Sequence, residues 1–366
     1  MKNLKKSLLA VSTAVLLGSA VSAHAAGELK FFNWSDYIAE DTIANFEKET
    51  GIDVTYDVYD SNESLDARLL TGRSGFDIVV PSNHFLTKQI QAGVYQKLDH
   101  SKLPNMTNLD PKLMEQLQTV DPGATHAIPY MWGTTGVGYN VDKVKAALGE
   151  DAPTNSWDLV FDPQVASKLK DCGIAMLDSS DEMMTAALGY LGLDPNSNDP
   201  EDLKKAEEML MKVRENVRYF HSSRYISDLA NGNICAAVGF SGDVFQAAYR
   251  AEEAKNGVDI AFSIPKEGAQ LWFDMMAIPK DAPNPENAHA FINYILRPDV
   301  VAPITNYVAY ANPNKAANEL VDPEIFSDPA IYPNEETMQK LYVAKPRPMA
   351  AQRIMTRAWN RVKSGQ

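Results

Sequence analysis

Aromatic residues and carboxylates gather at four places in the sequence. These are Trp34-Ser35-Asp36-Tyr37, Asp178-Ser179-Ser180-Asp181-Glu182, Phe240-Ser241-Gly242-Asp243 and Trp272-Phe273-Asp274. An aromatic face attracts an ammonium group through the ring quadrupole, by about 0.5 to 2 kcal/mol depending on desolvation, and a carboxylate adds a charge-assisted hydrogen bond. Together they describe a site for an amine. Any one cluster alone is accounted for as well by a ring in the core beside an acid that caps a helix. Their recurrence at loop-like positions is what gives the amine reading weight.

Other chemistries fail on the residues they need. There is no phosphate-binding glycine loop and no His-Glu-x-x-His helix. The run Gly239-Phe240-Ser241-Gly242-Asp243 starts like a nucleophile elbow but lacks its closing glycine. Gly133, Gly136 and Gly138 have the wrong spacing for a dinucleotide fingerprint and read as turn residues. The six His, at 24, 84, 100, 126, 221 and 289, form no local pair with metal-ligand spacing, and only His84, beside Pro81-Ser82, is a site candidate. Neither a metal nor a cofactor is expected. The enzymatic alternative is a carboxylate-dependent hydrolase using Asp243 and Asp274 as an acid/base pair on a saccharide. Nothing else in the sequence supplies machinery for it.

These clusters need a scaffold, and the hydrophobic pattern predicts one of α/β type. Gly27 to Trp34 reads as a strand, Asp41 to Glu49 as a helix ended by Gly51, and Ile52 to Val58 as an alternating strand. A helix from Glu63 to Thr71 and the strand-like Ile78-Val79-Val80 repeat the rhythm, which predicts a mostly parallel sheet. In a second set of such units, Asp199 caps a helix whose Leu203, Ala206, Leu210 and Val213 share one face, and a strand follows over Ile234 to Phe240. Ala288, Phe291, Ile292 and Ile295 make one late apolar stripe, and Met355, Ala358, Trp359 and Val362 make another. The two blocks exceed one comfortable core and no long linker parts them, so two lobes joined by short crossings are expected, with a ligand cleft between.

Length and charge bound the rest. The chain has 366 residues, 45% hydrophobic and 22% charged, which rules out general disorder. A net charge of −14 would repel a nucleic-acid backbone and favours cationic ligands. The one long apolar run, Ser7 to Val21, follows Lys2, Lys5 and Lys6 and precedes Ala23-His24-Ala25. That is the layout of a secretory signal over residues 1–25, cleaved after Ala25. No Cys follows the run to accept a lipid. Only Cys172 and Cys235 are present. An oxidising compartment favours pairing them, and two buried thiols is the alternative.

At these residues the sequence resembles the periplasmic polyamine-binding proteins of ABC importers, most closely the putrescine-receptor branch. The likeness rests on Asn33-Trp34-Ser35-Asp36-Tyr37-Ile38, Tyr59-Asp60-Ser61-Asn62-Glu63, Pro129-Tyr130-Met131-Trp132, Tyr219-Phe220-His221-Ser222-Ser223, Ser227-Asp228-Leu229-Ala230-Asn231-Gly232 and Val362-Lys363-Ser364-Gly365. It implies a two-lobed type II periplasmic-binding-protein fold with its ligand in the interlobe cleft. The first lobe would take residues 26–136 and 259–308, the second 137–258 and 309–366. The aromatic walls would fall on Trp34, Tyr37, Phe240, Trp272 and Tyr310, and the polar contacts on Ser35, Asp36, Ser82, Glu182, Asp243 and Asp274. Cys172 and Cys235 match the family's disulfide.

The resemblance implies no enzyme but a monomeric periplasmic receptor, with a polyamine as ligand, an inner-membrane ABC permease as partner and no nucleic acid. A receptor of the same fold for another cationic solute is the nearer alternative. Phe240 and Trp272 depart from the putrescine pattern, since Trp and Phe respectively are common there. The broad indole at Trp272 leans the expectation toward spermidine, while Asp243 and Asp36 keep putrescine open.

Overall fold

The computed structural model describes residues 27–366; the signal segment expected over residues 1–25 lies outside them. The first strand, β1 (Gly27–Trp34), buries Leu29, Phe31 and Asn33 and turns the residues between them outward. It pairs in parallel with β2 (Ile52–Tyr59) on one side and β3 (Ile78–Val79) on the other. The intervening helices start and stop where their chemistry dictates. Helix Thr42–Thr50 ends at Gly51, whose φ of 72° suits a residue without Cβ. Helix Asn62–Leu70 is capped by Ser61, whose hydroxyl accepts from the Ser64 amide. As an edge strand β2 leaves Val58 50% exposed, so the alternation that predicts the strand does not hold to its end.

The remaining strands are β4 (Ala127–Asn140), β5 (Ile174–Met176), β6 (Val217–Phe220), β7 (Ala236–Phe240), β8 (Ile260–Ser263), β9 (Gln270–Ala277) and β10 (Tyr342–Val343). Strand β4 is the long one. Up to Thr134 it runs antiparallel to β9; from Thr135 it pairs instead with β7 and β8. One strand thus hands over from one half of the sheet to the other between two adjacent threonines. Within the halves, β1, β2 and β3 are parallel, as are β5, β6 and β7. The antiparallel pairings all involve β4 or β9, so the expected parallel sheet holds inside each half and fails at the strands that connect them.

Two hydrophobic cores follow from this division. The first collects Leu29, Phe31, Phe46 and Ile78 with Phe291, Ile304 and Tyr310. The second collects Trp157, Phe161, Met183, Leu210 and Tyr225 with Met355 and Trp359. Both late apolar stripes are buried in a core, as their spacing predicts. The segment 309–331 departs from expectation: Ala309, Tyr310, Val321, Ile325 and Ile331 bury in the first core, and the chain returns to the second only around Leu341, which touches both. Ile260, Phe262 and Ala269 likewise stay with the second core, so the earlier return falls near Gln270 and not at 259. Only the first crossing, inside β4, falls where a strand changes partners, and composition carries no mark of any of them.

Gly133, Gly136 and Gly138 are not turn residues. They lie inside β4, where a Cβ would come within 2.9 Å of the Trp272 ring, 2.5 Å of Phe262 and 2.6 Å of Val244 respectively. Cys172 and Cys235 are bonded to each other, with 63 residues of separation, and tie the segment before β5 to the start of β7.

Candidate functional site

The ends of the parallel strands converge on one cavity between the two halves. From the first half, β1 delivers Trp34, Ser35 and Tyr37; β2 delivers Tyr59, Asp60 and Asn62; and Ser82 follows β3. From the second half, Ser222 and Ser223 follow β6, Phe240 ends β7, and Asp243 stands in the first turn of helix Ser241–Ala254. Glu182 stands in the first turn of helix Ser180–Tyr190. The connecting strand β9 carries Trp272 and Asp274, and Tyr310 follows helix Pro298–Val308. Ten of the eleven residues expected from sequence are brought together here.

The rings form a chain that crosses from one half to the other. Trp34 meets Phe240 edge-on with centroids 6.3 Å apart, Phe240 meets Trp272 at 5.7 Å and 84°, Trp272 meets Tyr310 at 5.4 Å, and Tyr310 meets Tyr37 at 5.1 Å and 81°. Edge-to-face contacts of this kind hold ring orientation. Trp34 is fixed further by its indole N–H, which donates to the Val80 carbonyl at 2.8 Å. Gly242 is required beside Tyr310, since a Cβ there would lie 2.5 Å from the ring.

Three buried carboxylates complete the lining, each held by neutral donors. Asp274 accepts from the Ser82 hydroxyl at 2.6 Å, and Asn62 orients that serine with a bond of 2.9 Å. Asp243 accepts from two phenols, Tyr225 at 2.6 Å and Tyr310 at 2.7 Å. Glu182 accepts from Thr135 at 2.7 Å and from Gln270 at 2.9 Å, so it grips both strands that link the halves. Burial without a compensating cation pushes these groups up: Asp243 to about 6, Asp274 to about 7 and Glu182 to about 8. None of the lining residues is Lys, Arg or His. The Trp272 indole N–H in the lining is buried with no partner in the protein, and the Tyr37 hydroxyl faces the Asp274 carboxylate.

Asp36 is the expected residue that does not join. Its backbone takes a φ of 55°, and its carboxylate turns away to an ion pair with Arg250 at 2.6 Å, both side chains 39% exposed. Of the acidic run at 178–182 only Glu182 reaches the cavity; Ser179 caps the helix by accepting from the Glu182 amide. His84 is buried in the core beside Phe85 and away from the lining; burial pulls it down to about 4. Sequence reasoning missed Tyr59, Asp60, Asn62, Ser222, Ser223 and Ile226. The available signal was position, because all but Ile226 closely follow or end a parallel strand whose carboxyl end faces the cleft. Among the described residues, no group of three His, Cys, Asp or Glu is placed to hold a metal ion. No helix among them is long and apolar enough to cross a membrane.

The model of the bacterial extracellular solute-binding proteins matches residues 41–333. The chain is 58% identical over 366 residues to the putrescine-binding periplasmic protein SpuD of Pseudomonas aeruginosa, covering 100% of both. It is 54% identical to the putrescine-binding periplasmic protein PotF of Escherichia coli, covering 98% of this chain and 96% of that one. Among solved structures, a spermidine/putrescine ABC transporter protein from Listeria monocytogenes superposes with a TM-score of 0.82 at 34% identity, over 93% of this chain and 99% of its own.

Proposed function

From the premise that this chain belongs to the bacterial extracellular solute-binding proteins, we propose that it captures a polyamine in the periplasm and delivers it to an ABC permease. The observation that carries the reading is the absence of any cation from a cavity lined by three buried carboxylates. Burying an unpaired carboxylate is costly, and the usual remedy, a neighbouring Lys or Arg, is missing. A ligand with ammonium groups at both ends supplies what is lacking. Its methylenes lie against the chain of rings, and its ammonium groups meet the acids.

The same geometry supports a closing motion. Trp34, Tyr37 and Ser82 are carried by the first half and Asp243 and Glu182 by helices of the second, Phe240 packs against both cores, and the halves join through β4, β9 and the segment around Leu341. A ligand touching both halves favours the closed arrangement by its differential affinity for it. We assign the two cores as the two lobes, and the closed face they form as the surface a permease reads. The protein acts as an exported monomer that returns its ligand chemically unchanged.

The preference among amines shifts from the expected lean. An indole at Trp272 does not lengthen the cavity: it lies in contact with Phe240 and Tyr310, is packed hard over Gly133, and is 4% exposed. The larger ring fills space, which favours the shorter diamine, and the relatives at 58% and 54% identity are both putrescine-binding. Calorimetric titration of ligand-stripped protein with putrescine, spermidine and 1,4-butanediol tests this. Saturable binding, tightest for putrescine and absent for the diol, is expected; silence toward every amine would refute the reading.

A further inference from the structure

Glu63 is a buried-side acid that the cavity does not use. It stands in the first turn of helix Asn62–Leu70, a helix of the first core, half-buried. Its Oε1 accepts a hydrogen bond of 3.1 Å from the Ser179 hydroxyl, which belongs to the second half of the molecule. That same hydroxyl accepts from the Glu182 amide and caps the helix that aims Glu182 into the cavity. Glu63 therefore bridges the cleft through a residue that positions part of the site.

The surroundings of Glu63 oppose its charge. From the facing helix it meets Asp181 and Glu182, and from the loop before that helix Asp178. The nearby cations are engaged elsewhere: Lys363 is bonded to Asp178 at 2.7 Å, and Arg347, which faces Asp181, is bonded to the carbonyls of Pro195 and Ser197. Lys88 bonds Gln352, which in turn donates to Asp181. His84 also faces Asp181. No Lys or Arg among the described residues is paired with Glu63.

Resting on the binding reading above, we propose that Glu63 is a lobe-bridging positioning residue that takes up a proton as the cleft closes. The separated lobes leave Glu63 in water, where a carboxyl has its ordinary value of 4.5; in the closed arrangement burial first, and Asp181 second, push it to about 7. The sign follows directly. Between these values the closed state binds the extra proton, so this group opposes closure fully above about pH 7 and ceases to oppose it as pH falls toward 4.5. The protonated acid keeps its contact with Ser179.

Glu63→Gln tests this, because an amide retains a hydrogen-bonding partner for Ser179 and removes the charge. Putrescine titrations of both proteins, from pH 5 to pH 8.5 in buffers of differing ionisation enthalpy, give affinity and proton count together. The variant should bind at least ~3-fold tighter at pH 8, with the ratio falling toward one near pH 5, and wild type should take up as much as about one proton more per ligand near pH 6. Asp181→Asn should move wild type part of the way toward the same result. Equal proton counts with weaker binding by Glu63→Gln at every pH would reduce the contact to an ordinary hydrogen bond and overturn this proposal alone. No heat with any amine from either protein would bring down the binding reading and this one together.

Discussion

On the outer surface Asp299 lies 2.7 Å from Arg297, which also forks onto Glu49 at 2.9 Å. Hydrogen bonding to the guanidinium holds Asp299 below its usual value. In the cleft the carboxylates of Asp243, Asp274 and Glu182 have hydroxyl and amide donors but no cation, and all three are pushed up. The difference teaches where the missing charge must come from. The surface acids Asp299 and Glu49 are partnered by the chain itself, while the cleft acids are held ready in orientation and left unbalanced in charge. A protein stabilised only for itself would place an Arg in such a cavity or replace the acids by apolar residues. Keeping them unpaired makes sense when a cation arrives from outside.

The sharpest way to break the comparison is to neutralise a cleft acid. Asp274→Asn and Asp243→Asn should each weaken amine binding by more than tenfold, about 1.4 kcal/mol or more. The ligand-free variants should melt at or above the wild-type temperature, because a buried unpaired charge is gone. Calorimetric titration and thermal unfolding of the same samples measure both. Unchanged affinity in both variants would place the cleft acids with the surface ones as structural groups.

Proton linkage gives the next largest effect. In the ligand-free protein the three acids are raised to about 6, 7 and 8, and a bound dication lowers them, so binding expels protons. Putrescine affinity should therefore fall as pH drops from 8.5 to 5.5, by roughly tenfold or more. Stability of the ligand-free protein moves the other way. Carboxyls raised in the folded state contribute fully below their unfolded value, near 4, and lose that contribution as pH rises through 6 to 8. Melting with and without putrescine across this range should thus diverge at high pH and converge at low pH.

How far this contrast was legible in sequence depends on what each residue had to show. Trp34 and Phe240 end strands and Asp243 stands just beyond one, positions that strand-like runs mark, whereas Trp272 and Asp274 lie inside β9 and showed only as an aromatic beside an acid. The helix faces at Ala288 to Ile295 and at Met355 to Val362 were equally open to a count of 3.6 residues per turn. Asp36 was misplaced because a positive φ redirects its side chain toward Arg250, 214 residues away, and no local pattern announces that. The glycines of β4 were misread because their reason is tertiary, the close approach of Trp272, Phe262 and Val244. The crossing inside β4 lies next to the expected 136/137, whereas the core contacts of 260–269 and 309–331 differ from the bounds expected at 259 and 309 because which core a segment packs on is tertiary and leaves no mark in composition. The raised acids could not be read at all, since a pKa depends on burial and on which donors converge.

The smallest expected effect sharpens the comparison from the surface side. Arg297→Ala removes the partner of Asp299 and Glu49, a cation 33% exposed, together with its packing over the Tyr294 ring at 5.1 Å. Solvent and salt screen such pairs, so the loss should be no more than about 1 kcal/mol, a shift of a few degrees in melting that shrinks further in high salt. Amine affinity should not change, because the freed acids of the outer surface are hydrated and far from the cavity lining. If removing this surface cation altered putrescine binding as much as neutralising Asp274, the field of the whole acidic chain would be setting affinity, and the local imbalance in the cleft would lose its special role.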